Sequence, residues 1–142
     1  LYAEVARKHP VKIQAAPKVG SLYWCSLPSE SCIHIPEFWK KRPVIVISRS
    51  NKLSGKVVVL PVTTDEDNEI YEGSLELSET TRNKINGKRC WVVFDHPMTV
   101  ATSRLDFINK RPPRVEQDEL SNILVRFHAT IAGWHQQAMP RP

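Results

Sequence analysis

Two short apolar runs constrain the fold more than anything else in the chain. "RPVIVIS" (42–48) and "KVVVLPVTT" (56–64) place apolar, mostly β-branched residues side by side without alternation. Such residues crowd a helix but suit a pleated strand, and the lack of alternation predicts strands covered on both faces. Pro43 suits the first residue of a strand. Pro61 interrupts the end of the second run, so Thr63 and Thr64 are expected where its ladder finishes. The intervening "SRSNKLSGK" is a turn of the kind that joins antiparallel neighbours. In an antiparallel pair the start of one strand lies beside the end of the other. Arg42 and Thr63 are therefore expected at one rim, with Lys40 and Lys41 directly in front.

The rest of the chain reads as more short strands. "GSLYWCS" from Gly20 alternates, "SLEL" is a short alternating strand, and "CWVVF" is another buried one. "MTVATSRL" reads as one further strand after the break at "DHP", and "SETTRNKINGK" as polar turn around Asn86-Gly87. Between Leu27 and Lys41 lies a long stretch without a clear period, which is either a functional loop or a segment whose structure the pattern does not reveal. Residues 1–18 read as a short helix or loosely attached arm. The period then changes: Leu120, Ile123, Leu124, Phe127, Ile131 and Trp134 form one stripe of a helix over about 116–134. Glu116, Asp118 and Glu119 sit at its positive end. The expectation is a mainly β domain (19–135) of about five to seven strands, a small, strongly bent antiparallel barrel closed by one amphipathic helix, with a tail at 136–142.

With 142 residues the chain can bury one proper core. Its net charge of +5 leans toward a polyanionic partner. Three cysteines without a C-x-x-C pair argue against a disulfide framework or zinc ribbon and favour a reducing, cytoplasmic setting. Cys25, Cys32, His34, Cys90 and His96 lack metal-ligand spacing, so no metal or other cofactor is expected. No apolar run is long enough to cross a bilayer, and no membrane partner is expected.

"GSLYW" from Gly20, "KRPVIVIS" from Lys41 and "VVVLPVTT" from Val57, in this order and spacing, resemble the MazF/PemK (Kid) toxin family. "WVVFDHPMTV" from Trp91 is similar to the PemK branch, and the resemblance covers about 18–133. It implies an SH3-like (CcdB/MazF-type) barrel that dimerises, cuts single-stranded RNA without a metal, and is held inactive by a cognate antitoxin. It also implies roles: Arg42 falls on the family's catalytic arginine and Thr63 on its catalytic threonine. Glu37 matches an acidic loop position of some members, and Asp95 matches the aspartate of the PemK branch. Val93 departs from that branch, which places a basic residue there. The loop "PSESCIHIPEFWKK" also departs from the usual glycine-bearing one.

Cutting RNA in this way requires a site that neutralises a phosphorane and moves two protons. A guanidinium can fork across phosphate oxygens, which suits Arg42, and a hydroxyl can donate to a non-bridging oxygen, which suits Thr63. Asp95 or Glu37 would serve as base if buried, and His96 or His34 with less tuning; the resemblance places Asp95 first. Lys40, Lys41, Thr64, Lys88, Arg89 and Arg104 are candidates for the RNA backbone, and Phe38 for stacking a base. Each has a plainer reading: Arg42 as a strand-edge charge, Thr63 and Thr64 as β-formers, Asp95 as a turn residue, Glu37 as solvated. Two other functions use the same barrel. A CcdB-like toxin poisons DNA gyrase without cutting RNA, and an inactive module binds RNA or peptide. The Arg42 and Thr63 pair separates the nuclease from both.

Overall fold

The structure, a computed structural model, describes residues 8–49 and 52–132. Residues 1–7 of the arm, the centre of the 49–55 turn, Trp134 at the helix end and the 136–142 tail lie outside the described residues. The strands are β1 (Leu22–Ser26), β2 (Lys41–Val46), β3 (Lys56–Thr63), β4 (Ser74–Glu76), β5 (Trp91–Val93), β6 (Met98–Ala101) and β7 (Leu105–Asp106). Two helices, α1 (Glu79–Asn83) and α2 (Gln117–Ile131), complete the fold. Among the described residues no helix is long and apolar enough to cross a membrane.

The seven strands form one antiparallel sheet in the order β4-β5-β3-β2-β1-β7, with β6 also paired to β3. The sheet bends strongly without closing on itself, and with the C-terminal helix it is the mainly antiparallel β architecture expected. The bend is built on β3, which pairs β6 along Lys56–Val59 and then β5 from Val62. Leu60 and Pro61 fall in the gap between those partners, where a residue without an N–H costs no ladder bond on that side. Pro43 is tolerated similarly. The strand begins two residues earlier than expected, at Lys41, but β2 pairs β3 only from Val44, leaving Pro43 a neighbour on β1 alone.

Alternation along the strands divides the core in two. Leu22, Ile45, Leu60, Val62, Val92 and Phe94 pack one face against Leu120 and Ile123 of α2. Tyr23, Cys25, Val44, Val46, Val57, Val59 and Leu105 pack the other, with Ile13. At 3% exposed, Ile13 pins the described part of the N-terminal segment to the sheet, and residues 8–18 contain no helix. The expected loose arm is corrected there.

Three further readings change. "MTVATSRL" is two strands, because a 3-10 turn at Thr102–Arg104 separates β6 from β7. The polar stretch after Leu77 contains α1, capped by Ser78, whose side chain accepts from the Thr81 N–H. Ile131, expected on the apolar stripe of α2, is 49% exposed, since the core ends at Leu124 and Phe127.

Candidate active site

The register of the β2–β3 pair, Val44 opposite Pro61, continued two residues toward the rim, sets Arg42 opposite Thr63. Both side chains line one open cavity of about 340 Å³. Glu37, Phe38, Lys40 and Thr64 line it as well. The hairpin thus delivers the guanidinium and the hydroxyl to one corner, as the sequence predicts, and gathers six of the expected site residues around it.

Arg42 is held by its surroundings. Its Nε donates to the Trp39 carbonyl at 2.9 Å, and its guanidinium lies 4.9 Å from the centre of the Phe38 ring. That hydrogen bond uses Nε and not the two terminal nitrogens, the pair that forks across phosphate oxygens. Burial lowers its pKa from the ordinary arginine value while Asp65 acts in the opposite sense, and the group stays charged at neutral pH. Thr63 closes β3, is 5% exposed and lines the cavity. Its Oγ1 accepts from the Asp65 N–H at 3.2 Å. As the acceptor there, the hydroxyl keeps its own proton to donate.

The long loop is fastened at its base. Leu27 N–H donates to the Lys40 carbonyl and Lys40 N–H to the Pro28 carbonyl. Lys40 takes a φ of 65°, a left-handed conformation that side chains rarely adopt and that recurs at functional sites. Within the loop, Glu37 is exposed and its Oε1 accepts from the His34 N–H at 2.7 Å.

Asp95 sits in an adjoining cavity of about 460 Å³ that shares Pro36, Phe38 and Asn68 with the first. It is exposed and accepts a hydrogen bond from the Tyr71 hydroxyl. His96, in the same cavity, meets Phe38 edge to face at 4.7 Å. Arg42 over the Phe38 ring and His96 at an edge contact with it therefore link the two cavities. Burial lowers the His96 pKa, opposed by Asp95 and Glu37, so the ring is neutral at physiological pH.

The other cations divide. Lys41 pairs with Asp106 at 3.6 Å and lies over Trp24, in a third cavity that also contains Lys40, Arg42 and Thr64. Arg89 is gripped by Glu76 at 2.8 Å and Glu69 at 3.4 Å, which commits its charge to protein. Lys88 is exposed and lines none of these three cavities. Arg104 donates to the Ser26 carbonyl and lines a separate cavity with the N-terminal segment. Among the described residues no three His, Cys, Asp or Glu side chains converge as a metal site would need. Sequence reasoning missed Tyr71 and Asn68. The one available signal was an aromatic residue, Tyr71, inside the acidic stretch "DEDNEIYEG", whose Asp65 lines the Arg42 cavity.

Fold and rim together define a class: a small, curved β-sheet protein with a helix on one face and a cation- and hydroxyl-lined site at one end of the sheet. The family model described as PemK-like, MazF-like toxin of type II toxin-antitoxin system matches residues 18–130. The chain belongs to that family. Its structure is similar to MazF (Form-I) from Deinococcus radiodurans, with a TM-score of 0.63 and 18% identity over 84% of this chain and 99% of that one. It is also similar to MazE-MazF (Form-III) from the same organism, with a TM-score of 0.60 and 18% identity over 82% and 97%. An endoribonuclease in complex with its cognate antitoxin from Mycobacterial species gives a TM-score of 0.56 and 19% identity over 91% and 100%. At such identities the likeness shows the fold. A sequence search of curated proteins returns no match.

Proposed function

We propose that this toxin is an endoribonuclease that cuts single-stranded RNA without a metal ion and leaves 2′,3′-cyclic phosphate and 5′-OH ends. The observation that carries the reading is the β2–β3 register that sets Arg42 opposite Thr63 across one solvent-facing cavity. In the reaction the substrate's 2′ oxygen forms a bond to the adjacent phosphorus, and the bond from phosphorus to the 5′ oxygen breaks. Arg42 balances the charge that builds on the phosphorane, and Thr63 donates to a non-bridging oxygen. The 2′-OH proton goes to a base in the adjoining cavity. His96 fits best, being neutral and set edge to face against the ring that Arg42 also touches. Asp95 and Glu37 lack the burial a carboxylate base needs, and Asp95 is engaged by Tyr71. The departing 5′ oxygen takes a proton from solvent at the open rim.

Phe38 stacks a base beside the scissile phosphate, while Lys40, Lys41 and Thr64 hold flanking backbone. Arg89 is left out because its two glutamate partners already neutralise it. In the cytoplasm a cognate antitoxin holds the enzyme inactive, and two copies associate to complete the groove. The similar MazE-MazF and endoribonuclease–antitoxin complexes support the antitoxin partner.

Purified protein incubated with single-stranded RNA in EDTA is expected to yield cyclic-phosphate 3′ ends. Arg42→Ala and Thr63→Val are each expected to slow cleavage by about 100-fold or more. Intact RNA together with trapped gyrase complexes would instead identify a protein-binding poison.

A further inference from the structure

Residues 8–17 precede the family match, which begins at 18, yet they are built into the molecule. With Ile13 buried beside Val57, Val59 and Leu105, the segment presents His9 and Lys12 to a cavity of about 680 Å³, larger than the three around Arg42. Ser26, Ser103 and Arg104 line its other side. Of its lining residues, only Arg104 was named from sequence as a candidate RNA contact, and the N-terminal segment had no assigned role.

This cavity lies at the same end of the sheet as Arg42. Ser26 is paired with Lys41, and Cys25 with both Arg42 and Leu105, so Arg104 and Lys41 flank Ser26 at the rim. Two strand spacings, roughly 10 Å, separate β7 from β2 across β1. Asp106 lies between the two regions, 3.6 Å from Lys41 and 3.8 Å from Lys12. Its carboxylate offsets one positive charge and draws both lysines to the same place. With Arg104, three permanent cations face one anion. Trp24, paired with Asp106 and overlaid by Lys41, adds a ring to the path. Interleaved cations and aromatic rings along a rim are how β domains track a single strand.

We infer that the N-terminal segment builds a second RNA-backbone subsite, in which Lys12 and Arg104 bind phosphates of the strand beyond the cleavage site. The inference rests on the nuclease reading for its ligand, and the observation behind it is independent of the Arg42 cavity.

The test uses the full chain and uncleavable 2′-O-methyl RNAs of about 4 and about 16 nucleotides, the range that single-strand-binding β domains cover. Affinity is read by fluorescence anisotropy across a salt series. Lys12→Glu and Arg104→Lys are the variants, the second retaining charge near the Ser26 carbonyl in case loss of Arg104 disturbs folding. The long RNA is expected to bind Lys12→Glu at least several-fold more weakly, with its salt slope reduced by about 0.7 for each phosphate that is no longer neutralised. Binding of the short RNA is expected to depend on Arg42 and to be unchanged in Lys12→Glu. Equal losses for both lengths, unchanged slopes, or binding of an acidic peptide at Lys12 without competition from RNA would overturn the subsite. If the wild type cuts unmodified RNA but Lys12→Glu binds both methylated RNAs as the wild type does, the subsite fails and the nuclease reading stands. If the wild type binds neither RNA, both fail.

Discussion

Gly20 shows how tightly single positions are specified. Its φ of +90° lies in the region that only glycine enters freely, and a Cβ there would sit 2.8 Å from Leu120 Cδ2. The same residue donates its N–H to the Val46 carbonyl and accepts from the Val115 N–H, joining β2 to the approach to α2. Gly20→Ala is expected to destabilise the fold by about 1–3 kcal/mol, measured by urea unfolding. His96 gives a pH prediction. Its pKa is lower in the folded protein than the ordinary 6.5, so the unfolded chain binds the proton more readily. Its contribution to stability is complete above pH 6.5 and is lost as pH falls through the lowered folded value. His96→Gln should therefore lose less melting temperature than wild type between about pH 7.5 and 5. If His96 is the base, the acid limb of kcat/KM should vanish in the same variant, whereas an unchanged limb would move the role to another group. At this scale the meeting of Arg42 and Thr63 at one cavity was legible, because a hairpin and a register are local arithmetic. The Tyr71–Asp95 contact was not legible, since it joins two loops 24 residues apart that no period connects.

Among the elements, α1 and α2 depend on each other. Ser78 caps α1, and its N–H and hydroxyl donate to the two carboxylate oxygens of Glu119 on α2 at 2.7 and 2.9 Å. The Thr81 hydroxyl donates to the same carboxylate. From sequence Glu119 only favours the dipole of its own helix, whereas in the fold it also fastens the α1 cap from 41 residues away. Removing it leaves three donors without that acceptor, so Glu119→Ala is expected to cost about 1–3 kcal/mol and to loosen α1 first. Hydrogen exchange at Thr81 and Arg82 would report the loosening, and unchanged protection there would contradict it. The helix α1 escaped sequence reasoning because five residues carry too little periodicity, although Ser78 was a usable cap signal. The split of β6 from β7 was equally hidden, since "ATSR" does not differ in composition from a strand end. The strands β2, β3 and β5 were legible because their apolar runs leave no other placement.

For the whole molecule, the open sheet matters more than the helix that covers it. One face is sealed by α2, and Arg42 and Thr63 lie at the edge of the other, continuing the alternation of Val44 and Val46 on β2. The rim is accessible because β2 and β3 end there and the 27–41 loop folds beside them. The number and shortness of the strands suggest closure into a barrel, but whether the outer strands meet depends on twist accumulated across the sheet, which no local pattern encodes. The central claim is that one guanidinium and one hydroxyl act on a single phosphate. A double-mutant cycle in single-turnover RNA cleavage tests it most directly, comparing wild type, Arg42→Ala, Thr63→Val and the double variant. Each single change is expected to slow cleavage by about 10²–10³-fold, and the double variant far less than the product of the two. Losses that simply multiply, or cleavage that continues at the wild-type rate in either single variant, would contradict it.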